Sequence, residues 1–167
     1  DSDVLLSCFQ YVKAADRIRS GNADIVYPYD GRFVRCSRVP WTEIFDKDSY
    51  KVNSMDGVYD GMILHEKESF GGVFVVNKDS YIKAGMENEN FVSFGREDVE
   101  RYVRFNKLGL AVERIKGCLY HLQHKKGINS TMRHPHADQN RIEARKVIDM
   151  DAAKLKEYVA GWGWLKT

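Results

Sequence analysis

Residues 69–110 read SFGGVFVVNKDSYIKAGMENENFVSFGREDVERYVRFNKLGL, and the fold turns on how this stretch divides. The glycine pair Gly71-Gly72 leads into the apolar run Val73-Phe74-Val75-Val76, which reads as a strand over Val73 to Asn77. Lys78 to Ala84 has the length of a short helix, with Gly85 as its stop. An aromatic-glycine turn, Phe94-Gly95, precedes the acidic pair Glu97-Asp98. From that pair onward Val99, Tyr102, Val103 and Leu108 recur at helical spacing and predict an amphipathic helix ending at Gly109. Two carboxylates thus stand in a first helical turn, where free N–H groups and the positive dipole end favour the ionised form. Arg101 and Arg104 follow Glu97 and Glu100 by four residues, the favourable order for helix ion pairs.

Two readings of the acidic pair stay open at this level. The carboxylates can simply start a surface helix, or they can do chemistry. Glycines that let backbone approach a ligand, together with the aromatic wall of Phe91 and Phe94, favour the second.

Working outward, strands and helices alternate, so the class is α/β or α+β. Ser7 with Gln10 three residues later is a capping box, opening a helix to about Ser20 that presents Tyr11, Ala14, Ala15 and Ile18 on one face. Ala23 to Tyr27 and Arg32 to Ser37 read as strands, separated by the turn Asp30-Gly31. Trp41 to Met62 reads as a loop holding at most one helical turn, long enough to suggest function. Ala111 to Lys116 and Cys118 to His121 read as extended. Asp138 to Ala160 is helical, with a break near Met150-Asp151.

Composition excludes several classes. A chain of 167 residues with 43% hydrophobic and 30% charged residues is ordinary for one globular domain. A net charge of +2 without a basic, aromatic-laced stripe argues against nucleic acid as a partner. No apolar run approaches a membrane span of about 20 residues. Cys8, Cys36 and Cys118 are widely spaced and odd in number, which suits a reducing compartment better than a disulfide framework. The expected location is the cytoplasm, at the inner face of the membrane if near one. The opening Asp1-Ser2-Asp3 resembles mid-domain sequence, and we expect an N-terminal portion of the natural domain to precede it.

Two further constellations carry chemistry. Asp1-x-Asp3 places two carboxylates that can lean toward one hard cation. His121-x-x-His124 offers imidazole to the more polarisable divalent metals. His134 and His136 lie close in sequence and read as loop residues, though they leave a zinc site, and a metal hydrolase, open.

In order, D-x-D, Gly-Gly-Val with its apolar run, F-G-R-E-D and H-x-x-H resemble the C-terminal half of inverting GT-A glycosyltransferases. The closest likeness is to the β-1,4-galactosyltransferase C-terminal domain and the bacterial family 2 enzymes of polysaccharide biosynthesis. The resemblance covers about Asp1 to Lys126. It implies a catalytic part over residues 1–130 that lacks its nucleotide-binding half, a helical extension over 131–167, and a fragment inactive by itself. It implies transfer of a sugar from a nucleotide-sugar donor, a UDP-sugar, to a saccharide acceptor, with Mn²⁺ or Mg²⁺. Asp98 would be the general base and Glu97 would hold a sugar. Gly71, Gly72, Phe94, Gly95 and Arg96 would line the substrate site. Asp3, His124 and His121 would bind the metal, with Asp1 near the metal or ribose. Phe94 and Arg96 depart from the family's tryptophan and second glycine. A non-catalytic carbohydrate- or partner-binding module is the alternative, and apolar surface left by a missing half could make the chain a homodimer.

Overall fold

The computed structural model describes residues 3–36, 45–46, 48–49, 51–52, 62–65 and 68–166. Among these the protein is mixed α/β, in two compact units. The first unit comprises the described residues up to Val75 together with Val112–His124; the second comprises Val76–Ala111 with Lys125–Thr167.

In the first unit a four-stranded mixed sheet has the order β1 (Val4–Leu5), β9 (Leu119–Leu122), β3 (Phe33–Cys36), β6 (Met62–Leu64). β9 runs parallel to β3 and antiparallel to β1, with His121 opposite both Arg35 and Val4. Val34, Cys36, Met62, Cys118 and Tyr120 form its core. A second sheet has the order β7 (Val75–Val76), β2 (Ile25–Tyr27), β8 (Val112–Arg114), with β2 and β8 parallel. All three residues of β2 are buried, which is why Ala23 to Tyr27 is continuously apolar apart from Asp24 rather than alternating.

Helix α1 (Cys8–Arg19) packs on the second sheet through Ala14 and Ile18. Its capping box forms as expected: Ser7 Oγ accepts from the Gln10 N–H, and Gln10 Oε1 accepts from the Ser7 N–H at 3.0 Å. The buried face differs from the apolar pattern. Tyr11 is 40% exposed, whereas Gln10 is buried, its amide donating to the carbonyls of Pro28 (2.7 Å) and Cys118 (3.2 Å). A polar side chain satisfied by two carbonyls tolerates burial, and it displaces the tyrosine from that face. Between Trp41 and Met62 the described residues hold no helical turn. They form the antiparallel pair β4 (Phe45–Asp46) and β5 (Lys51–Val52), and Met62 opens strand β6.

The second unit is helical: α2 (Lys78–Lys83), α3 (Glu97–Lys107), α4 (Ala137–Asp149) and α5 (Ala152–Ala160). Asp151 caps α5 by accepting from the Lys154 N–H at 2.9 Å, which accounts for the break at Met150-Asp151. Val147, Leu155, Val159 and Trp162 form the core, with Leu108 packed against them. Helix α3 contradicts its hydrophobic reading. Its buried residues are Glu100, Arg101, Arg104 and Phe105, while Val99, Tyr102 and Val103 are only half-buried. Arg104 Nε donates to Glu100 Oε1 at 2.7 Å, and its other nitrogens donate to the carbonyls of Ala84 and Met86. The guanidinium thereby ties off the C-terminal carbonyls of α2, a task no apolar side chain could perform. Among the described residues no helix is long and apolar enough to cross a membrane.

Candidate functional site

The β1–β9 ladder sets the first cluster. Leu122 N–H donates to the Asp3 carbonyl at 2.8 Å, which registers Asp3 just ahead of the Val4–His121 pair. Asp3 Oδ2 then lies 3.3 Å from His121 Nε2 and 2.8 Å from His124 Nε2. One ligand atom from each of the three residues falls within a 4.8 Å sphere of mutual distances, the arrangement that could hold a metal ion. The donor set of one carboxylate oxygen and two imidazole nitrogens suits Mn²⁺ better than Mg²⁺, which favours oxygen. Asp3 Oδ1 is buried and receives no hydrogen bond among the described residues. A buried carboxylate oxygen without a donor is costly unless a cation compensates it, so these residues fit a metal. Asp1, the other expected ligand and ribose contact, lies outside the described residues.

Gly71 and Gly72 belong to the same unit. The Gly71 carbonyl accepts from the Tyr29 hydroxyl at 2.7 Å. Gly72 has φ +90°, and a Cβ there would come within 2.8 Å of Leu119 Cδ1. The position therefore excludes larger residues on both conformational and steric grounds.

The acidic pair lies in the second unit. Glu97 feels the charge of Arg101, four residues on, but its hydrogen bond goes elsewhere. It takes the Gly95 N–H on Oε2 at 2.6 Å, so the carboxylate reaches back onto the turn that precedes its helix. Burial pushes the Glu97 carboxyl above its ordinary range. The residue's own backbone N–H opposes that most, the adjacent Asp98 adds to it, and the Gly95 N–H and Arg101 also pull downward. Asp98 pairs instead with Arg101 through Oδ1. Arg101 also donates to Glu87 at 2.8 Å, and Glu87 accepts from the Tyr81 hydroxyl at 2.9 Å. Asp98 remains partly open to solvent, with 38% of its side chain exposed, while its partner Arg101 is buried.

The turn before the pair departs from ordinary backbone geometry. Ser93, Gly95 and Arg96 all have positive φ, at 62°, 124° and 77°. A left-handed arginine costs roughly 1–2 kcal/mol and persists only where surroundings hold it. Arg96 occupies a position suited to glycine, the residue that the resemblance leads one to expect there. Phe94, in the same turn, is 44% exposed.

Sequence reasoning did not find how His134 is used. It is buried, with Nε2 2.6 Å from the Phe94 carbonyl, and its Nδ1 accepts from the His136 N–H at 3.2 Å. A carbonyl only accepts, so Nε2 carries the hydrogen. Both ring nitrogens are thus engaged, and among the described residues the clustered metal ligands are Asp3, His121 and His124 alone. The spacing of His134 and His136 held no signal for this role, because the Phe94 partner is distant in sequence.

With this geometry in hand, residues 58–126 match the family described as the N-terminal domain of galactosyltransferase. This region is galactosyltransferase-like. The match covers rather less than half of the chain, and it bears out the galactosyltransferase resemblance. The galactosyltransferase-like region includes Gly71, Gly72, Phe94 to Asp98, His121 and His124, and leaves Asp3 outside. Searches of curated proteins and of solved structures find no match.

Proposed function

We propose that this chain carries the catalytic part of a metal-dependent, inverting glycosyltransferase that moves a sugar from a UDP-sugar to a saccharide acceptor. One observation carries the reading. Asp3, which lies outside the galactosyltransferase-like region, meets His121 and His124, which lie inside it.

Asp3, His121 and His124 would hold Mn²⁺. Bound there, the ion supplies Lewis-acid neutralisation of charge building on the leaving diphosphate. Gly71 and Gly72 would let the chain approach the sugar closely. The exposed Phe94 would offer its ring for sugar stacking, and Glu97, which accepts from the Gly95 N–H, would hold a sugar hydroxyl. Asp98 would act as general base, taking the proton of the acceptor hydroxyl as that oxygen attacks the anomeric carbon. Its Oδ1 is engaged by Arg101, so Oδ2 would receive the proton. A single displacement inverts the anomeric centre and needs no enzyme nucleophile.

The test is Asp98→Asn in the full protein, assayed for sugar transfer and for Mn²⁺ binding. Transfer should be abolished, while fold and metal affinity persist. Unchanged turnover would remove Asp98 from the mechanism.

A further inference from the structure

Three buried polar side chains near and beyond the start of α4 converge on the loop before the acidic pair. Asn140, 0% exposed, brackets Val92 as a neighbouring strand would: Oδ1 accepts the Val92 N–H at 3.1 Å, and Nδ2 donates to the Val92 carbonyl at 2.9 Å. The same Nδ2 reaches the Phe94 carbonyl at 3.4 Å, where His134 Nε2–H also donates, at 2.6 Å. Glu143 Oε1 accepts from Asn88 Nδ2 at 2.8 Å, Asn90 Nδ2 at 3.4 Å and the Tyr158 hydroxyl at 2.8 Å.

Buried polar groups that satisfy loop backbone are common, and that alone would be a folding role. What sets this set apart is the peptide it holds. The carbonyl of the Phe94–Gly95 peptide is gripped by His134 and Asn140, and the N–H of the same peptide donates to Glu97 Oε2. A peptide is planar, so fixing its oxygen fixes the direction of its N–H. Donation to the carbonyl also strengthens the N–H as a donor. The flanking left-handed residues Ser93 and Arg96 need such an external hold.

We propose that His134 and Asn140 are positioning residues that set the Glu97 carboxylate through the Phe94–Gly95 peptide. The role of Glu97 in sugar binding rests on the glycosyltransferase reading; the mechanical coupling does not.

The test compares His134→Leu, His134→Gln and Asn140→Ala in the full protein. The Gln side chain can still donate to the Phe94 carbonyl, so it is the conservative rescue. In the first arm, Glu97 is followed by carbon-13 NMR titration. Losing the Gly95 hydrogen bond should move its titration further upward in His134→Leu and Asn140→Ala, and leave it near wild type in His134→Gln. In the second arm, transfer from a panel of UDP-sugars, UDP-galactose included, to a panel of aryl glycosides is measured. His134→Leu and Asn140→Ala should lose about tenfold in kcat/KM for the acceptor, with the donor KM within about twofold, and His134→Gln should restore it. An unmoved Glu97 titration in folded His134→Leu and Asn140→Ala overturns the coupling. So does a parallel loss on donor and acceptor. Absence of transfer by the wild type with every probe would sink the glycosyltransferase reading, and the NMR arm would still decide the coupling.

Discussion

Asp3 Oδ2 sits 2.8 Å from His124 Nε2, although the two residues lie at opposite ends of the first unit's sequence. The parallel β3–β9 ladder and the antiparallel β1–β9 ladder bring them together. Removing either side chain takes away one of three donors. Asp3→Ala or His124→Ala should weaken Mn²⁺ binding by roughly 100-fold or more, read by calorimetry or by the EPR signal of free Mn²⁺. Because metal and proton compete for the imidazoles, wild-type affinity should also fall as the pH is lowered. Equal affinity in wild type and His124→Ala would exclude this cluster.

Arg96 is exposed and held at φ 77°, a conformation glycine adopts freely. Arg96→Gly removes about 1–2 kcal/mol of left-handed strain and adds about 0.5–1 kcal/mol of unfolded-chain entropy. The net expectation is stabilisation by roughly 0.5–1 kcal/mol, visible as a raised melting temperature. A lowered melting temperature would mean that the arginine side chain contributes contacts outweighing its backbone.

Glu97 has a carboxyl raised above its ordinary value by burial. The folded state then binds this proton more tightly than the unfolded chain. Its contribution to stability is fully present below the unfolded pKa and is lost as pH rises through the higher, folded one. Glu97→Gln keeps an acceptor for the Gly95 N–H and removes the titration. Urea denaturation across acidic pH should show a flatter stability profile in this variant, just above the ordinary glutamate range. An unchanged slope would show that the carboxyl titrates alike in both states.

Glu100 and Arg104 form a fully buried ion pair in α3, with side chains 1% and 0% exposed. Arg104→Met strands the Glu100 carboxylate in the core and should cost about 3–5 kcal/mol. Adding Glu100→Leu should recover only part of this, because the carbonyls of Ala84 and Met86 also lose their donor. A double-mutant cycle in urea measures the coupling, and additive single effects would contradict the pairing.

Much of the architecture can be read directly from residue order, for local reasons. The Ser7–Gln10 box, the Asp151 cap and the helix start at Glu97 each depend on neighbours a few residues away. The motif residues of the galactosyltransferase-like region are legible for the same reason: their types and order are properties of the chain. Where apolar periodicity misled, as at Tyr11 and along α3, buried polar side chains had found partners distant in sequence. Gln10 reaches Cys118, and Arg104 reaches Ala84.

What the amino-acid order determined by itself, then, is the α/β class, most element positions and the identity of the candidate donors and bases. Only tertiary structure decided their company. It joined Asp3 to His121 and His124 through strand register. It also gave His134, a loop residue as expected, its hold on the Phe94 carbonyl. The physical reason is common to both. A polar side chain's partner is set by where burial and strand pairing leave an unmatched donor or acceptor, and that is a property of the folded backbone.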